Sequence, residues 1–207
     1  MMRKKLLSMI GLFLLVSSIA LGAQLTFPQI RSENNEMRKS VIWLMEGLQE
    51  LSMSKDKSLN LRSEQKRKIL PVFNALVSKK IIPLKSESNQ YNNSNRGQYG
   101  NMDPGDPKVQ ERMKGLQEQT AFGNKQVDLI DGILTRKQAG FIDNLNFKAE
   151  KYGFYNYQNN GQSGGQGQGQ FQRSDPQQMA KLRQQMQAGR ANQVKLCQSI
   201  EKILKAK

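Results

Sequence analysis

The chain has 207 residues, with 32 Lys and Arg against 17 Asp and Glu, so its formal net charge is +15. That length suits one modest domain or two small ones. It contains no histidine and a single cysteine, Cys197. This composition excludes an internal disulfide, a Cys/His zinc cluster and a Ser-His-Asp triad within one chain.

The first 23 residues have the layout of a secretory signal peptide. A short basic region (Arg3, Lys4 and Lys5) precedes an apolar run over residues 6–20, and small residues follow at 20–23. We therefore expect an exported protein of the bacterial periplasm or the extracellular space. The run falls short of the ~20 apolar residues of a spanning helix, and an uncleaved N-terminal anchor is the alternative.

Residues 24–83 are predicted as the first helical segment. Between residues 34 and 53 apolar side chains recur at steps of three and four, which is typical of one face of a helix. A polar break separates this helix from a second one over residues 63–82. Pro71 lies inside the second helix and is expected to kink or split it, because proline removes one backbone hydrogen bond.

Two polar segments divide the rest of the chain. Residues 84–105 are predicted as a polar linker and residues 154–173 as a Gly/Gln-rich low-complexity tether, because neither holds the apolar side chains that a core needs. Residues 106–153 between them are predicted as a helical segment, and residues 174–207 as a C-terminal amphipathic helix.

The middle segment contains signals for the start and the end of its helices. Asp106 followed by Pro107 is a well-matched helix start. The apolar seam of this first helix weakens at Thr120 and Gly123. A second helix is expected from Thr135 onwards, with Gly153 as its stop.

No segment shows the sustained alternation of apolar and polar residues that is typical of a strand. We therefore predict an all-α fold, built from amphipathic, coiled-coil-like helical hairpins joined by flexible polar linkers, with no strands. Because the linkers are long and aromatic residues make up only 7% of the chain, we expect it to lack one compact core.

The most informative motif is a capping box at a predicted helix start. Thr135 is placed to cap the helix with its hydroxyl, and Gln138 at the third helical position can accept from the backbone N–H of the cap residue. The segment 61–65 has the same outline. There Arg62 occupies the cap position, and Ser63, one residue later, is the alternative cap.

Together the two boxes resemble the repeated LTxxQ motifs of the Spy/CpxP family of small helical periplasmic proteins. The segment 59–65 is similar to the first family motif and the segment 133–138 to the second. The chain departs from the family where Arg62 replaces the motif threonine, where Pro71 interrupts a helix and where the linker is long. An uncharacterised secreted relative with only the LTxxQ signature is the alternative. The motif residues are Leu61, Ser63, Gln65, Leu134, Thr135 and Gln138.

This resemblance implies a cradle-shaped helical protein, often dimeric, that holds unfolded clients without ATP. We therefore expect a chaperone-like or stress-response protein that binds unfolded or other envelope proteins, with a homodimer as a further expectation. Methionine side chains are flexible enough to contact many sequences, and ordinary helix packing is the alternative interpretation of each of them. The candidate client-binding residues are Met37, Met45, Met113, Met179 and Met186.

The alternative function is a structural or adhesive envelope protein that binds an anionic membrane or cell-wall polymer. Without the three cations of the leader the mature chain carries +12, and such a charge attracts anionic surfaces. Export makes nucleic acid an unexpected partner. No nucleotide-binding motif occurs, and acidic pairs such as Asp128 and Asp131 lack an accompanying histidine. We therefore predict no enzymatic activity, no cofactor and no metal.

Overall fold

The fold is all-α. The computed structural model describes residues 25–85, 105–154 and 176–206, and within these ranges it contains five α-helices, one 3-10 helix and no strand. The five helices are α1 (Phe27–Met53), α2 (Ser63–Ser78), α3 (Pro107–Ile133), α4 (Arg136–Asp143) and α5 (Pro176–Lys205), and the 3-10 helix spans Ala149–Tyr152. The predicted signal peptide, and all but the ends of the two predicted linkers, lie outside the described residues.

The predicted helix start at Asp106 is confirmed. The Asp106 carboxylate accepts a hydrogen bond of 2.8 Å from the backbone N–H of Lys108, and Pro107 occupies the first helical position of α3. Proline is well suited to this position because the N–H that it lacks would have no partner within the helix.

Helix α2 continues through Pro71 and ends at Ser78, four residues before the predicted end. The prediction of a split at Pro71 is wrong: its ring lies on the exposed face of one unbroken helix. At the end of α2, Lys80 adopts a left-handed conformation (φ 55°). The N–H of Ile81 then donates to the carbonyl of Leu76 at 3.0 Å, as in a Schellman motif. This turn directs Ile81 and its neighbour Ile82 into the core.

The predicted helix after Thr135 is also shorter than expected. Helix α4 ends at Asp143, where the side-chain amide of Asn144 donates to the Gly140 carbonyl at 2.8 Å. An irregular stretch leads into the 3-10 helix, and Gly153 closes that helix with a positive φ of 79°. Because of this break, Tyr152 turns into the core and stacks on Phe147.

One contiguous apolar core joins all the helices, so the expectation that the chain lacks a compact core is wrong. Helix α1 lies at its centre. The side chains of α1 that are fully buried there are Val41, Ile42, Leu44, Met45, Leu48 and Leu51. The two predicted linkers therefore connect parts of a single packed unit among the described residues.

Contacts along α1 define the directions of its neighbours. Near the start of α1, Asn34 Nδ2 donates to Gln119 Oε1 at 3.2 Å, and further along Met37 packs on Gly123, so α1 and α3 run parallel. Helix α2 runs antiparallel to α3, since Gln119 of α3 donates to the Lys79 carbonyl at the end of α2, whereas Gln65 at the start of α2 donates to the Ile133 carbonyl at the end of α3. Gly123 therefore does not weaken the seam of α3: its missing side chain leaves the space that Met37 fills.

The C-terminal helix packs back onto the rest of the molecule. Its buried side chains Leu196, Cys197, Ile200 and Leu204 belong to the common core. Gln49 Nε2 of α1 donates to Ser199 Oγ at 2.8 Å. Within the described residues, no helix combines the length and the apolar character needed to cross a membrane.

Candidate functional site

The two predicted capping boxes meet at one place in the fold. Gln65 is the third residue of α2 and Gln138 the third residue of α4. The loop before α2 and the short connection between α3 and α4 bring the two helix starts together. The motif residues separated by 73 positions in the chain therefore form one site.

Each glutamine first satisfies its own helix start. Gln138 Oε1 accepts the N–H of Thr135 at 2.9 Å, and the Thr135 hydroxyl accepts the N–H of Gln138 at 3.3 Å, so this capping box is confirmed. Gln65 Oε1 accepts the N–H of Arg62 at 3.0 Å. The guanidinium of Arg62 has no acceptor, and only half of a box forms there. Ser63 is the first helical residue and is exposed, so its assignment as the cap is wrong.

The amide nitrogens then reach across to the other motif. Gln65 Nε2 donates to Gln138 Oε1 at 2.8 Å and to the Ile133 carbonyl at 3.0 Å. Gln138 Nε2 donates to the carbonyls of Leu59 and Asn60 at 3.0 and 3.2 Å. Asn60 and Ile133 each lie two residues before a cap residue, so the two halves are related by an approximate two-fold symmetry. We call this arrangement the glutamine junction.

The glutamine junction is buried. Gln138 is 1% exposed and Gln65 is 8% exposed, and the motif leucines Leu61 and Leu134 are buried beside them. Buried amides are stabilising only when their donors and acceptors find partners, and in this junction both do. Because a carboxamide does not ionise, the arrangement carries no acid–base chemistry. It holds the start of α2 against the start of α4.

A salt bridge at the surface ties the same elements together. Lys137 Nζ lies 2.8 Å from Asp56 Oδ2, and Lys137 also contacts the hydroxyl of Ser58. The hydrogen bond from Lys137, with those from Ser58, lowers the pKa of Asp56 from 3.8 to about 2. The loop between α1 and α2 is therefore attached to α4 by charge as well as by the buried amides.

A shallow groove of about 260 Å³ lies beside the junction. It is lined by Arg62, Glu64, Gln65, Lys68, Gly132, Ile133 and Thr135. Nowhere in the described part of the chain do three or more Cys, Asp or Glu side chains come close enough to hold a metal ion.

The structure separates the five candidate methionines. Met37 and Met45 lie in the core at 3% and 0% exposure, so they are corrected from client-binding to packing residues. Met113 is partly exposed and Met186 is 36% exposed. The backbone of Met179 lies in α5, but its side chain lies outside what the structure describes.

Sequence reasoning missed a third copy of the motif. Leu25, Thr26 and Gln29 repeat the Leu-Thr-x-x-Gln pattern at the start of α1. Gln29 Oε1 accepts the N–H of Thr26 at 2.8 Å, as in the other two boxes. Gln29 is exposed, and its amide nitrogen donates to no other described residue. The pattern itself, applied to the residues after the predicted signal peptide, would have found this copy.

Sequence reasoning also missed a polar cluster under the 3-10 helix. Glu46 of α1 accepts hydrogen bonds from Lys151 Nζ at 2.7 Å and from the Tyr152 hydroxyl at 2.8 Å. Burial raises the pKa of Tyr152 to about 12. The position of Glu46 in the sequence does not distinguish it from the other acidic residues of α1, so its partners were not predictable.

No protein-family model matches the chain, and neither the curated proteins nor the solved structures contain a match to it.

Proposed function

We propose that this protein is an exported, ATP-independent chaperone-like or stress-response protein that binds unfolded clients on its helical surface. The observation that carries the proposal is the glutamine junction. Two boxes that resemble the LTxxQ motif do not merely start two separate helices: they bind each other through Gln65 and Gln138. This pairing of the two motifs in one helical unit supports the resemblance to the Spy/CpxP family and, with it, the proposed function.

The exposed surface also supports client binding. Met186 lies one turn from Arg183 and Arg190 in α5. The partly exposed Met113 is flanked in the sequence of α3 by Arg112 and Lys114. A flexible apolar side chain beside a positive charge is suited to bind client segments that contain both apolar and acidic residues. Such contacts need no chemical step and no nucleotide.

The part of α5 that precedes Gly189 provides an exposed surface of this kind. Its described side chains from Lys181 to Ala188 are exposed or partly exposed, and Leu182 and Met186 lie on one face at helical spacing. We infer that this face contacts clients. The buried half of the helix, which begins at Gly189, anchors it to the core.

Light scattering of a chemically unfolded model protein diluted into buffer tests the proposal. Purified residues 24–207, without nucleotide and at low salt, are expected to suppress aggregation at a near-stoichiometric ratio. The variant Leu182→Ser/Met186→Ser is expected to lose most of this suppression. Aggregation that continues unchanged at a several-fold excess of the protein would contradict the proposal.

Two control variants make the result specific. Met53→Ser removes a methionine that is more exposed than Met186 from the C-terminal end of α1 and is expected to leave suppression intact. Cys197→Ser excludes a contribution from intermolecular disulfides. If Met53→Ser and the double variant weaken suppression equally, the face on α5 is not the client surface.

A further inference from the structure

One end of the helical unit is formed by three segments that lie apart in the chain. Lys137 of α4 pairs with Asp56 in the loop before α2, and Lys66 Nζ of α2 reaches the Ala206 carbonyl after α5 at 3.5 Å. These contacts bring together residues 55–68, 134–138 and 201–206. We call this surface the basic end.

The basic end is strongly cationic. Its three segments contain ten Lys and Arg and three Asp and Glu. Counting Asp128 and Asp131 from the nearby turns of α3 still leaves an excess of five positive charges. The opposite end of the unit, formed by residues 27–36, 79–85 and 105–118, contains seven cations and five anions, an excess of two. The basic end therefore has a larger excess of positive charge than the opposite end.

The acids of the basic end do not neutralise it. Each acid holds one cation: Asp56 pairs with Lys137, Glu64 with Lys68 and Glu201 with Lys205. Seven cations then remain without an ion pair within 4 Å among the residues that the structure describes: Lys55, Lys57, Arg62, Lys66, Arg67, Arg136 and Lys202. All of them but Lys66 are exposed.

An apolar side chain projects from the same surface. Met53 is the last residue of α1 and is 60% exposed, the highest value among the large apolar side chains of the described residues. Lys55 and Lys57 follow it directly in the loop. Exposure of the apolar Met53 side chain to water is unfavourable. A methionine beside unpaired lysines fits the interface of a lipid bilayer, where phosphates and acyl chains meet.

We propose that the basic end docks on the surface of an anionic phospholipid bilayer, with the unpaired cations on the lipid phosphates and Met53 inserted between headgroups. Each cation near such a surface contributes about fivefold in affinity at low ionic strength. A soluble polyanion satisfies the cations equally well but offers Met53 no apolar environment. The methionine therefore distinguishes a bilayer from a soluble polymer.

Co-sedimentation of the full chain with vesicles tests the docking. Vesicles of phosphatidylcholine containing a quarter phosphatidylglycerol are expected to bind the protein at low salt and to release it at high salt. Pure phosphatidylcholine vesicles give the baseline that includes any binding by the apolar segment 6–20, which is present in every variant. Equal binding to both kinds of vesicle would overturn the proposal.

Two charge-matched variants locate the surface. Lys57→Gln/Arg67→Gln/Lys202→Gln removes three unpaired cations from the basic end, and the partition coefficient on anionic vesicles is expected to fall about 100-fold. The control, Arg31→Gln/Lys79→Gln/Lys108→Gln, removes the same residue types from the opposite end and is expected to change binding little. Far-UV circular dichroism confirms that both fold. An equal loss from the two variants would mean that net charge, and not the basic end, binds the vesicles.

A fluorescent label at the methionine tests insertion. Met53→Cys, in a Cys197→Ser background and labelled with an environment-sensitive dye, is expected to shift to the blue with anionic vesicles and to stay unshifted with soluble polyphosphate. The same dye at Met186→Cys on α5 is the control and is expected to report water in both cases. If the label at position 53 stays in water while polyphosphate competes for the protein, the ligand is a soluble polyanion and the bilayer proposal is wrong.

Discussion

The carboxamides of Gln65 and Gln138 each perform two tasks. The oxygen accepts the N–H of its own cap residue, and the nitrogen donates across the glutamine junction to the other motif. Among uncharged side chains only a carboxamide has an acceptor and two donors at one end. Asparagine has the same group but is one methylene shorter, so glutamine is the residue that fits both tasks.

A double-mutant cycle measures the coupling across the junction. Gln138→Ala leaves the buried carbonyl of Leu59 and the partly buried carbonyl of Asn60 without a donor, and it is expected to lower the free energy of unfolding by about 2–3 kcal/mol. Gln65→Ala is expected to cost a similar amount. The double variant is expected to cost clearly less than the sum, because the two side chains share a hydrogen bond. Urea denaturation followed by circular dichroism provides the measurement.

The third box is a matched control for this cycle. Gln29 caps α1 as Gln138 caps α4, but it is exposed and binds no other motif. Gln29→Ala is expected to cost no more than about 1 kcal/mol and to be additive with Gln138→Ala. A cost equal to that of Gln138→Ala would show that capping alone, and not the junction, explains the stability.

The ion pair of Asp56 predicts an acid-sensitive contact. Its pKa is lowered to about 2 in the folded chain from an ordinary value of 3.8. The contact with Lys137 therefore stabilises the folded state fully at pH values above the ordinary pKa of 3.8. This stabilisation is lost as the pH falls towards 2. Titration of the Asp56 carboxyl carbon by NMR measures this directly. Lys137→Gln is expected to raise the pKa, whereas Lys68→Gln, beside Glu64, is expected to leave it unchanged.

At the scale of the elements, backbone contact decides how α5 docks. Gly189 lies against Gly153, whose positive φ closes the 3-10 helix, and a Cβ at position 189 would come within 2.5 Å of the Gly153 Cα. Asn192 and Gln193 then donate to the carbonyls of Lys151 and Tyr152. The two glycines allow the backbones of α5 and the 3-10 helix to approach this closely, since neither residue has a side chain.

Gly189→Ala is therefore expected to loosen α5. The new methyl group meets backbone, which cannot rotate away, and the expected loss is about 1–3 kcal/mol in the free energy of unfolding. Gly115→Ala in α3 is the control: its site is open, and the better helix propensity of alanine is expected to stabilise the protein by about 0.5–1 kcal/mol. Hydrogen exchange measures whether α5 opens in the first variant. Unchanged protection would contradict the proposed contact.

At the scale of the whole molecule, the single cysteine reports on the integrity of the core. Cys197 is fully buried in α5, and desolvation raises the pKa of its thiol from 9.0 to about 12. The thiolate is the reactive form, so we expect native Cys197 to react with a disulfide reagent on the order of a thousandfold more slowly than in urea. Because the pKa of the Cys197 thiol is higher in the folded chain than in the unfolded chain, the free energy of unfolding decreases as the pH rises above 9.

The control for this measurement is an exposed thiol at the C-terminal end of α1. Met53→Cys in a Cys197→Ser background is expected to react rapidly in the native state, because position 53 is solvent-accessible. Fast reaction of native Cys197 would mean that α5 separates readily from α1, contrary to the common core.

The helix starts were largely predictable from the sequence because they depend on local chemistry. Asp106 with Pro107 and Thr135 with Gln138 each carry their cap within three residues, and the structure confirms both. The helix ends were predicted less well. The end of α2 depends on the burial of Ile81 and Ile82, and the end of α4 depends on the burial of Tyr152, which no local pattern indicates.

The sequence by itself determined the all-α class, the caps at Asp106 and Thr135 and the presence of two similar boxes, since each follows from residues within a few positions of one another. Only the tertiary structure decided that Gln65 and Gln138 bind each other and that Met37 and Met45 are core residues. It also decided that the cations of three separate segments share one end. These features depend on which helix faces meet, and helix packing is set by the shapes of side chains distant in the chain, such as Met37 against Gly123.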